Sequence, residues 1–189
     1  PETPETLTLQ SDILVEIHEI NEERYRVVVQ DNGPGIVAKQ VPRVFGKLLY
    51  GSKFHRLRQQ RGQQGIGISA AGMYGQLTTG LPVAILSRTA AGRTAHYFEI
   101  TIDTRKNQPV LLKDEQREDW PGVETGTRVE IELAATYKGG RRSADEYLEQ
   151  VAIANPHVRL EYQPPKGKPR VVFERATSEL PREPQQIKP

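Results

Sequence analysis

A short glycine-containing segment directly after an apolar run is the first place where this sequence has residues suited to binding chemistry. The run 25–30 has the β-branched composition of a strand and is followed by Asp31, Gly33 and Gly35 in the order D-x-G-x-G. A carboxylate at a strand end accepts hydrogen bonds from an amino group, and glycines let a flat ligand approach the backbone. The alternative is an ordinary turn, because Asp, Asn, Gly and Pro are common turn residues. The pattern alone leaves both interpretations open.

A second candidate segment is rich in glycine and leads into a run with helical spacing. The letters RGQQGIGIS cover residues 61–69, and the amphipathic pattern continues to Thr79. Free N–H groups in the first turn of a helix, together with the helix dipole, attract phosphate. The alternative is a flexible linker that ends in a helix, and neither a P-loop nor a dinucleotide fingerprint is present. The candidate residues are Gly62, Gln63, Gln64, Gly65, Ile66, Gly67, Ile68 and Ser69.

Two further features are less specific. Thr127 follows Gly126 at the start of a predicted strand, where its hydroxyl would support a bound base or an ordered water, although many strands simply begin this way. Basic side chains cluster just before the glycine-rich segment, where they would either offset phosphate charge or form a solvated loop. These are Lys53, His55, Arg56, Arg58 and Arg61.

The surrounding patterns predict the elements that hold these candidates. Strands are predicted at 13–20, 25–30, 82–89, 94–104, 109–113, 127–133, 157–162 and 170–173. Helices are predicted at 36–45, 66–79 and 143–154, with a long mobile loop between Gly46 and Gly65. The second helix is expected to have an apolar face formed by Ile66, Ala70, Met73, Tyr74 and Leu77, with small residues that allow close packing, and the third to begin at a Ser143–Glu146 capping box. Strands outnumber helices, which predicts an α+β fold: a two-layer sandwich of a mostly antiparallel sheet with helices on one face.

Composition excludes several classes of protein. The chain has 189 residues, 36% hydrophobic residues and a net charge of +2, which fit one globular domain and do not favour a nucleic-acid binder. Without cysteine it has no disulfide, thiolate nucleophile or cysteine-bound zinc. No apolar run reaches the roughly 18 residues of a membrane span, so we expect a soluble protein without membrane contact. The start, PETPETLTLQ, lacks Met and suggests a fragment of something longer.

The order of these parts resembles the GHKL ATPase family, which includes gyrase B, Hsp90, histidine kinases and MutL. Within that family, residues 41–79 closely resemble the B subunits of the topoisomerase VI (type IIB) family. The resemblance rests on Phe45-Gly46, Leu49-Tyr50, Ser52-Lys53 and RGQQGIGISAA, and on the later segments Ala154-Asn155-Pro156-His157 and Glu179-Leu180-Pro181.

This resemblance implies a GHKL-type sandwich that binds ATP with Mg²⁺. Asp31 would hydrogen-bond the adenine amino group, Gly33 and Gly35 would leave room for the base, and Thr127 would support it through water. Further nucleotide contacts would come from Ser52 and Lys53, and from the segment that wraps the phosphates: Gly62, Gln63, Gln64, Gly65, Ile66, Gly67, Ile68 and Ser69.

For the intact protein, the resemblance implies an ATP-hydrolysing component of a type II DNA topoisomerase. ATP binding would close two B subunits into a dimer within an A2B2 assembly, and the separate A subunit would carry the DNA-cleaving tyrosine. We expect a cytoplasmic, nucleoid-associated protein, or a nuclear one in a eukaryote. Residues 1–176 would form the ATP-binding domain, incomplete at its N-terminus, and 177–189 a Pro-rich linker toward a following domain.

One departure from the family concerns catalysis. In the family, a helix before the first strand carries the catalytic Glu and an Asn that holds magnesium, and by this resemblance both would precede Pro1. We therefore expect no catalytic residue and no metal ligand in the chain, and nucleotide binding without hydrolysis by the chain alone. The alternative is a non-hydrolysing nucleotide-binding or interaction module of a topoisomerase-like complex.

Overall fold

The structure, a computed structural model, describes residues 10–50 and 65–179. Their strands are β1 (Ser11–Asn21), β2 (Arg24–Asp31), β3 (Val83–Arg88), β4 (Ala95–Asp103), β5 (Gln108–Arg117), β6 (Gly126–Ala134), β7 (Val158–Gln163) and β8 (Val171–Phe173). Their helices are α1 (Val41–Gly46), α2 (Gly67–Thr79) and α3 (Ala144–Ala154). All eight predicted strands and all three predicted helices are present, with shifted ends.

The strands form one sheet in the order β5-β4-β3-β6-β2-β1-β7-β8. Every neighbouring pair is antiparallel except β1 and β7, which are parallel. Side chains alternate between the two faces of a sheet, so each strand gives one face to the helices and the other to the opposite surface. The result is the predicted α+β sandwich with a mostly antiparallel sheet and helices on one face.

The core has two halves on the helical face of the sheet. One lies beneath α1 and includes Val41, Phe45, Val83, Ile85, Phe98, Ile100 and Ile131. The other lies beneath α3 and includes Val15, Ile17, Tyr25, Leu160 and Tyr162. Between the two halves, Val29 on β2 keeps 42% of its surface exposed although it lies on a central strand. The described helices therefore leave the middle of the sheet uncovered.

Helix α2 packs through a different face from the predicted one. Its buried positions are Ser69, Gly72 and Gly75, whereas Tyr74 and Leu77 are 51% and 71% exposed. The glycines matter because the helix lies almost on the sheet: a Cβ at Gly72 would be 2.5 Å from Val83 Cγ2. The predicted apolar face is therefore not the packed one, whereas the expectation that small residues of this helix allow close packing is confirmed.

Helix α3 is attached to the sheet by a polar cluster centred on Asp145. Its carboxylate accepts hydrogen bonds from the hydroxyls of Tyr137, at 2.6 and 2.7 Å, and of Tyr162, at 2.7 Å. Lys168 Nζ lies 3.4 Å away. Burial acts to raise the pKa of Asp145, but these hydrogen bonds and the lysine charge outweigh it and hold the pKa below its usual range.

The starts of α1 and α3 refine the predictions. Helix α1 begins at Val41 with Pro42 in its first turn, where a proline costs no hydrogen bond. The Ser143 hydroxyl caps α3 by accepting from the Glu146 N–H at 3.3 Å, but the Glu146 carboxylate accepts from the N–H of Arg142 and not from that of Ser143.

Among the described residues, no helix has the length and apolar character needed to cross a membrane.

Candidate functional site

Asp31 ends β2 and organises the loop that follows it. Its Oδ1 accepts hydrogen bonds from the N–H of Gly33, at 2.8 Å, and from the N–H of Thr127 on β6, at 3.2 Å. Asp31 and Thr127 face each other in the β2–β6 register, so the sheet itself brings them together. Within the described part of the chain, Oδ2 has no hydrogen-bond partner. The carboxylate is fixed by one oxygen and offers the other as an acceptor.

The glycines of the D-x-G-x-G segment have structural reasons of their own. Gly35 has a φ of 69°, and a Cβ there would lie 2.3 Å from the carbonyl oxygen of Arg88. A Cβ at Gly33 would lie 2.9 Å from Asp31 Oδ1, the atom that accepts its N–H. Gly35 therefore requires glycine to keep the loop folded against β3, and a side chain at Gly33 would push Asp31 Oδ1 away from its position in the loop.

Ser87 is a site residue that sequence reasoning missed. Ser87 lies on β3 and is 2% exposed. Its hydroxyl accepts a hydrogen bond from the Ile36 N–H at 2.8 Å and donates one to the Gly126 carbonyl oxygen at 3.1 Å. Its Oγ is also 3.4 Å from Thr127 Oγ1, so two hydroxyls lie side by side near Asp31. The available signal was a serine at an inward position directly after the apolar run 83–86 of the predicted strand.

Arg88, the next residue, holds the loop that precedes Thr127. Its guanidinium is largely buried and donates to the carbonyl oxygens of Val123 (2.6 Å), Glu118 (3.1 Å) and Trp120 (3.4 Å). These three carbonyl oxygens satisfy part of the hydrogen-bonding capacity of the Arg88 guanidinium, which is almost fully buried. Arg88 thereby fixes the path of the chain into β6, and sequence analysis gave it no role.

The start of α2 reaches the same region. Ile68 and Asp31 both line one groove, which brings the predicted helix start and the D-x-G-x-G loop together. The N–H groups of Gly67, Ile68 and Ser69 belong to the first helical turn and have no partner within the helix. Ser69 is fully buried, backbone included, and its hydroxyl donates to the Ile66 carbonyl at 3.3 Å.

Gly65, Ile66 and Gly67 are the described residues that lead into this helix. Several predicted site residues lie outside the described residues: Ser52, Lys53, Gly62, Gln63 and Gln64. The basic cluster at 53–61 lies outside them too. So does Pro1, before which the catalytic Glu of the family was expected, and that expectation stays a prediction.

The groove measures about 620 Å³ and has apolar walls. Its lining consists of Val27, Val29, Asp31, Pro34, Gly35, Ile36, Phe45, Ile68, Ala71, Thr127, Val129, Ile131 and Leu133. Asp31 is the one carboxylate among these described residues, and Thr127 supplies a hydroxyl. An apolar slot with a few fixed polar groups at one end is typical of a site for a flat heteroaromatic ligand.

The described residues do not provide a metal centre. Residues 10–50 and 65–179 contain no group of three or more His, Asp or Glu side chains arranged to hold a metal ion. The groove therefore fits the base of a nucleotide, but its described lining does not fit the implied magnesium ion, which needs several oxygen ligands.

Comparison with known proteins identifies the class to which this fold and site belong. The sequence model of the histidine kinase-, DNA gyrase B- and HSP90-like ATPases matches residues 5–136, and the chain belongs to that family. Two solved structures share the fold. The N-terminal domain of a DNA repair protein has a TM-score of 0.53 at 14% identity, over 85% of this chain and 45% of that one. The MutL ATPase domain of Aquifex aeolicus, complexed with ADP, has a TM-score of 0.50 at 16% identity, over 87% and 57%.

Curated relatives narrow the similarity within that class. The chain is 51% identical to the B subunit of type 2 DNA topoisomerase 6 from Methanosarcina barkeri, over 94% of this chain and 28% of the relative. It is 48% identical to the same protein of Natronomonas pharaonis, over 94% and 22%, and 45% identical to that of Archaeoglobus fulgidus, over 94% and 29%. The resemblance predicted from residues 41–79 is confirmed, and the chain spans less than a third of the length of these relatives.

Proposed function

We propose that this chain binds ATP with the adenine in the groove between α2 and the sheet. The observation that carries the proposal is the arrangement of the Asp31 carboxylate. Its Oδ1 accepts hydrogen bonds from two backbone N–H groups, and its Oδ2 is left as an acceptor for a ligand. The exocyclic amino group of adenine is a donor, so it fits this oxygen. Guanine presents a carbonyl oxygen at the corresponding ring position, and two acceptors facing each other repel. The site should therefore prefer ATP to GTP.

The groups around Asp31 support the same placement of the base. Thr127 and Ser87 put two hydroxyls near the carboxylate, which suits an ordered water between protein and base. Gly33 and Gly35 place no side chain of their own against the base. The walls of the groove, which include Val29 and Ile68, supply apolar surface for the faces of the ring. Burying such a flat ring provides much of the affinity, and Asp31 provides its orientation.

The phosphates would lie at the start of α2. Its first exposed residues, Gly67 and Ile68, have backbone N–H groups with no partner within the helix, at the positive end of the helix dipole. Ile68 lines the groove, so a nucleotide whose base contacts Asp31 would direct its phosphates toward these groups. The sequence predictions for Ser52, Lys53, Gly62, Gln63 and Gln64 extend the phosphate site along the chain before α2.

The identity of the relatives extends the proposal to the whole protein. We infer that the domain belongs to a B subunit of the topoisomerase VI type, in which ATP binding dimerises two B subunits and ATP hydrolysis gates the passage of one DNA duplex through another. The proposed partners are an A subunit, a second B subunit in an A2B2 assembly, and DNA in the cytoplasm or nucleus. The outer face of the sheet carries balanced ion pairs, among them Arg128–Glu130 at 2.8 Å and Arg170–Glu161 at 2.9 Å, and so does not favour DNA as its own partner.

We further propose that this chain binds ATP without hydrolysing it. Water attack on a phosphate needs a base to take up a proton, and Asp31, the groove's one carboxylate among the described residues, is engaged in holding the loop and the base. Magnesium would have to be held mainly by phosphate oxygens, water and groups other than the described lining. The second candidate function is a module that binds nucleotide and never turns it over.

The deciding experiment is a titration of the 189-residue chain with a non-hydrolysable ATP analogue, repeated with Asp31→Asn. The amide oxygen can still accept from Gly33 and Thr127, but its NH₂ replaces the acceptor that meets the adenine amino group. We expect the fold to persist and the Kd to rise about 10- to 100-fold, the effect of losing a hydrogen bond to a charged group. Preference for ATP over GTP should also fall, because an amide NH₂ can donate to guanine.

The matched control is Asp114→Asn, which removes a carboxylate from an exposed position on β5. It should bind the analogue as the unchanged chain does. No saturable binding by the folded unchanged chain would contradict the proposed function. Magnesium-dependent phosphate release that Asp31→Asn abolishes would contradict binding without turnover.

A further inference from the structure

The turn between β4 and β5 holds the backbone of a residue far away in the sequence. Asn107, in that turn, accepts the Leu48 N–H at its Oδ1 (2.8 Å) and donates from Nδ2 to the Leu48 carbonyl (3.2 Å). One carboxamide therefore satisfies both polar groups of one backbone residue, as a neighbouring strand would. Asn107 itself has a φ of 50°, a conformation that asparagine tolerates better than most residues. The side chain and the backbone of Asn107 are thus both suited to this contact.

The residue after Leu48 continues the connection to α2. The Leu49 N–H donates to the Gly65 carbonyl at 3.1 Å, and Leu49 has a φ of 63°. Leucine is rare in this left-handed conformation, so contacts on either side must hold it there. Gly65 is two residues from the start of α2 at Gly67. A chain of hydrogen bonds therefore runs from Asn107 through Leu48 and Leu49 to the entrance of α2.

The same hairpin also holds α1 and the body of α2. Gly46, the last residue of α1, lies so close to Pro109 that a Cβ would be 2.4 Å from the proline Cβ. Gln76 in α2 repeats the double contact: it accepts the Ile102 N–H at 2.8 Å and donates to the Ile102 carbonyl at 3.1 Å. The hairpin end thus fixes α1, the residues after it, and α2 relative to one another.

We propose that Asn107 is a positioning residue for nucleotide binding, acting through Leu48 and Leu49 on the start of α2. The inference rests on the proposed function, since it requires that the first turn of α2 receives the phosphates. Asn107 does not line the groove, so it affects the ligand only through the backbone that it holds. Its effect should fall on the phosphates, whereas the adenine contact belongs to Asp31.

The test is Asn107→Gly in the 189-residue chain. Glycine accepts the positive φ without strain, so this substitution removes the carboxamide and keeps the turn. We expect the Kd of a non-hydrolysable ATP analogue to rise about five- to tenfold, the effect of one or two lost hydrogen bonds. Amide hydrogen exchange at Leu48 and Leu49 should accelerate at least tenfold. The Kd of adenosine, which has no phosphates, should stay within twofold of that of the unchanged chain.

Lys166→Gly is the matched control, because Lys166 is a non-glycine residue with a φ of 62° in the turn between β7 and β8. It should change neither affinity nor exchange at Leu48. Asn107→Asp is the second variant: it can still accept the Leu48 N–H, but its second carboxylate oxygen would face and repel the Leu48 carbonyl oxygen, so a rise in Kd at least as large as that of Asn107→Gly is expected.

Three results would overturn the inference. One is faster exchange at Leu48 with unchanged affinity for the ATP analogue, and another is unchanged exchange. The third is an equal loss of affinity for adenosine and for the analogue, which is the sign of a general structural defect. Failure of the proposed function is distinguishable, because the unchanged chain would then bind neither ligand while the exchange measurement still reports on the Asn107 contact.

Discussion

The backbone of Gly35 passes so close to β3 that a side chain at this position would collide with it. In Gly35→Ala, the new Cβ would lie 2.3 Å from the carbonyl oxygen of Arg88 and 2.7 Å from its carbonyl carbon. Both are backbone atoms in a paired strand, so neither can rotate away. The loop that carries Asp31 would have to move, and we predict that this substitution lowers the free energy of unfolding sharply.

The chain offers a control with the same backbone conformation and no collision. Gly92 has a φ of 72° against 69° for Gly35, and a Cβ at Gly92 would meet nothing within 4 Å. Alanine in the left-handed region costs about 1–2 kcal/mol, offset by about 0.4–1 kcal/mol because the unfolded chain loses entropy. Gly92→Ala should therefore lose about 1 kcal/mol. Overpacking adds about 1–3 kcal/mol, so Gly35→Ala should lose about 3 kcal/mol.

Urea unfolding followed by circular dichroism measures both variants. The expected result is a difference of about 2 kcal/mol between them at an unchanged m value, which shows that the denatured state is the same. Equal losses within about 0.5 kcal/mol would refute the reasoning, because the approach of Gly35 to Arg88 would then impose no constraint.

Two further predictions concern α3. Ser143→Ala removes the cap on the Glu146 N–H and should lower the free energy of unfolding by about 1 kcal/mol in urea, whereas the exposed Ser178→Ala should leave it unchanged. Asp145 has a folded-state pKa held below its unfolded value, so its stabilising contribution is present above the unfolded pKa and is lost as pH falls through the folded one. Urea midpoints measured downward from about pH 4 should therefore fall less steeply in Asp145→Asn than in the unchanged chain, and parallel curves would contradict this account.

The sequence was most informative where a pattern depends on neighbouring residues. The hairpin of β1 and β2 was predicted because alternating apolar residues flank a short polar turn at 21–24, and both features are local. The N-cap of α3 at Ser143 was predicted for the same reason. For α2, close packing by small residues was predicted, but the face that packs was not, because the hydrophobic pattern assumes that large residues are buried, whereas Gly72 and Gly75 pack against the sheet.

The candidate site depends on contacts between distant residues, which a local pattern does not contain. Ser87 and Arg88 owe their roles to strand pairing that places β3 beside β6. Asn107 is a common turn residue, and nothing in its neighbouring sequence indicates its partner Leu48, which lies 59 residues away in the chain. Asp31 and Thr127 were grouped only through resemblance to a family, although they face each other in the sheet.

The close packing of α2 against the sheet also determines when this helix can form during folding. Two interior glycines, Gly72 and Gly75, each make the isolated helix about 1 kcal/mol less favourable than alanine would, so its 13 residues are not stable alone in water. Its main support is β6, with further contacts from α1, β3 and β4, and β6 begins only at Gly126. A growing polypeptide must therefore have synthesised β6 before α2 is held in place. The part of the proposed nucleotide site that lies on α2 is completed only after β6, and nascent chains that stop before residue 126 should lack it.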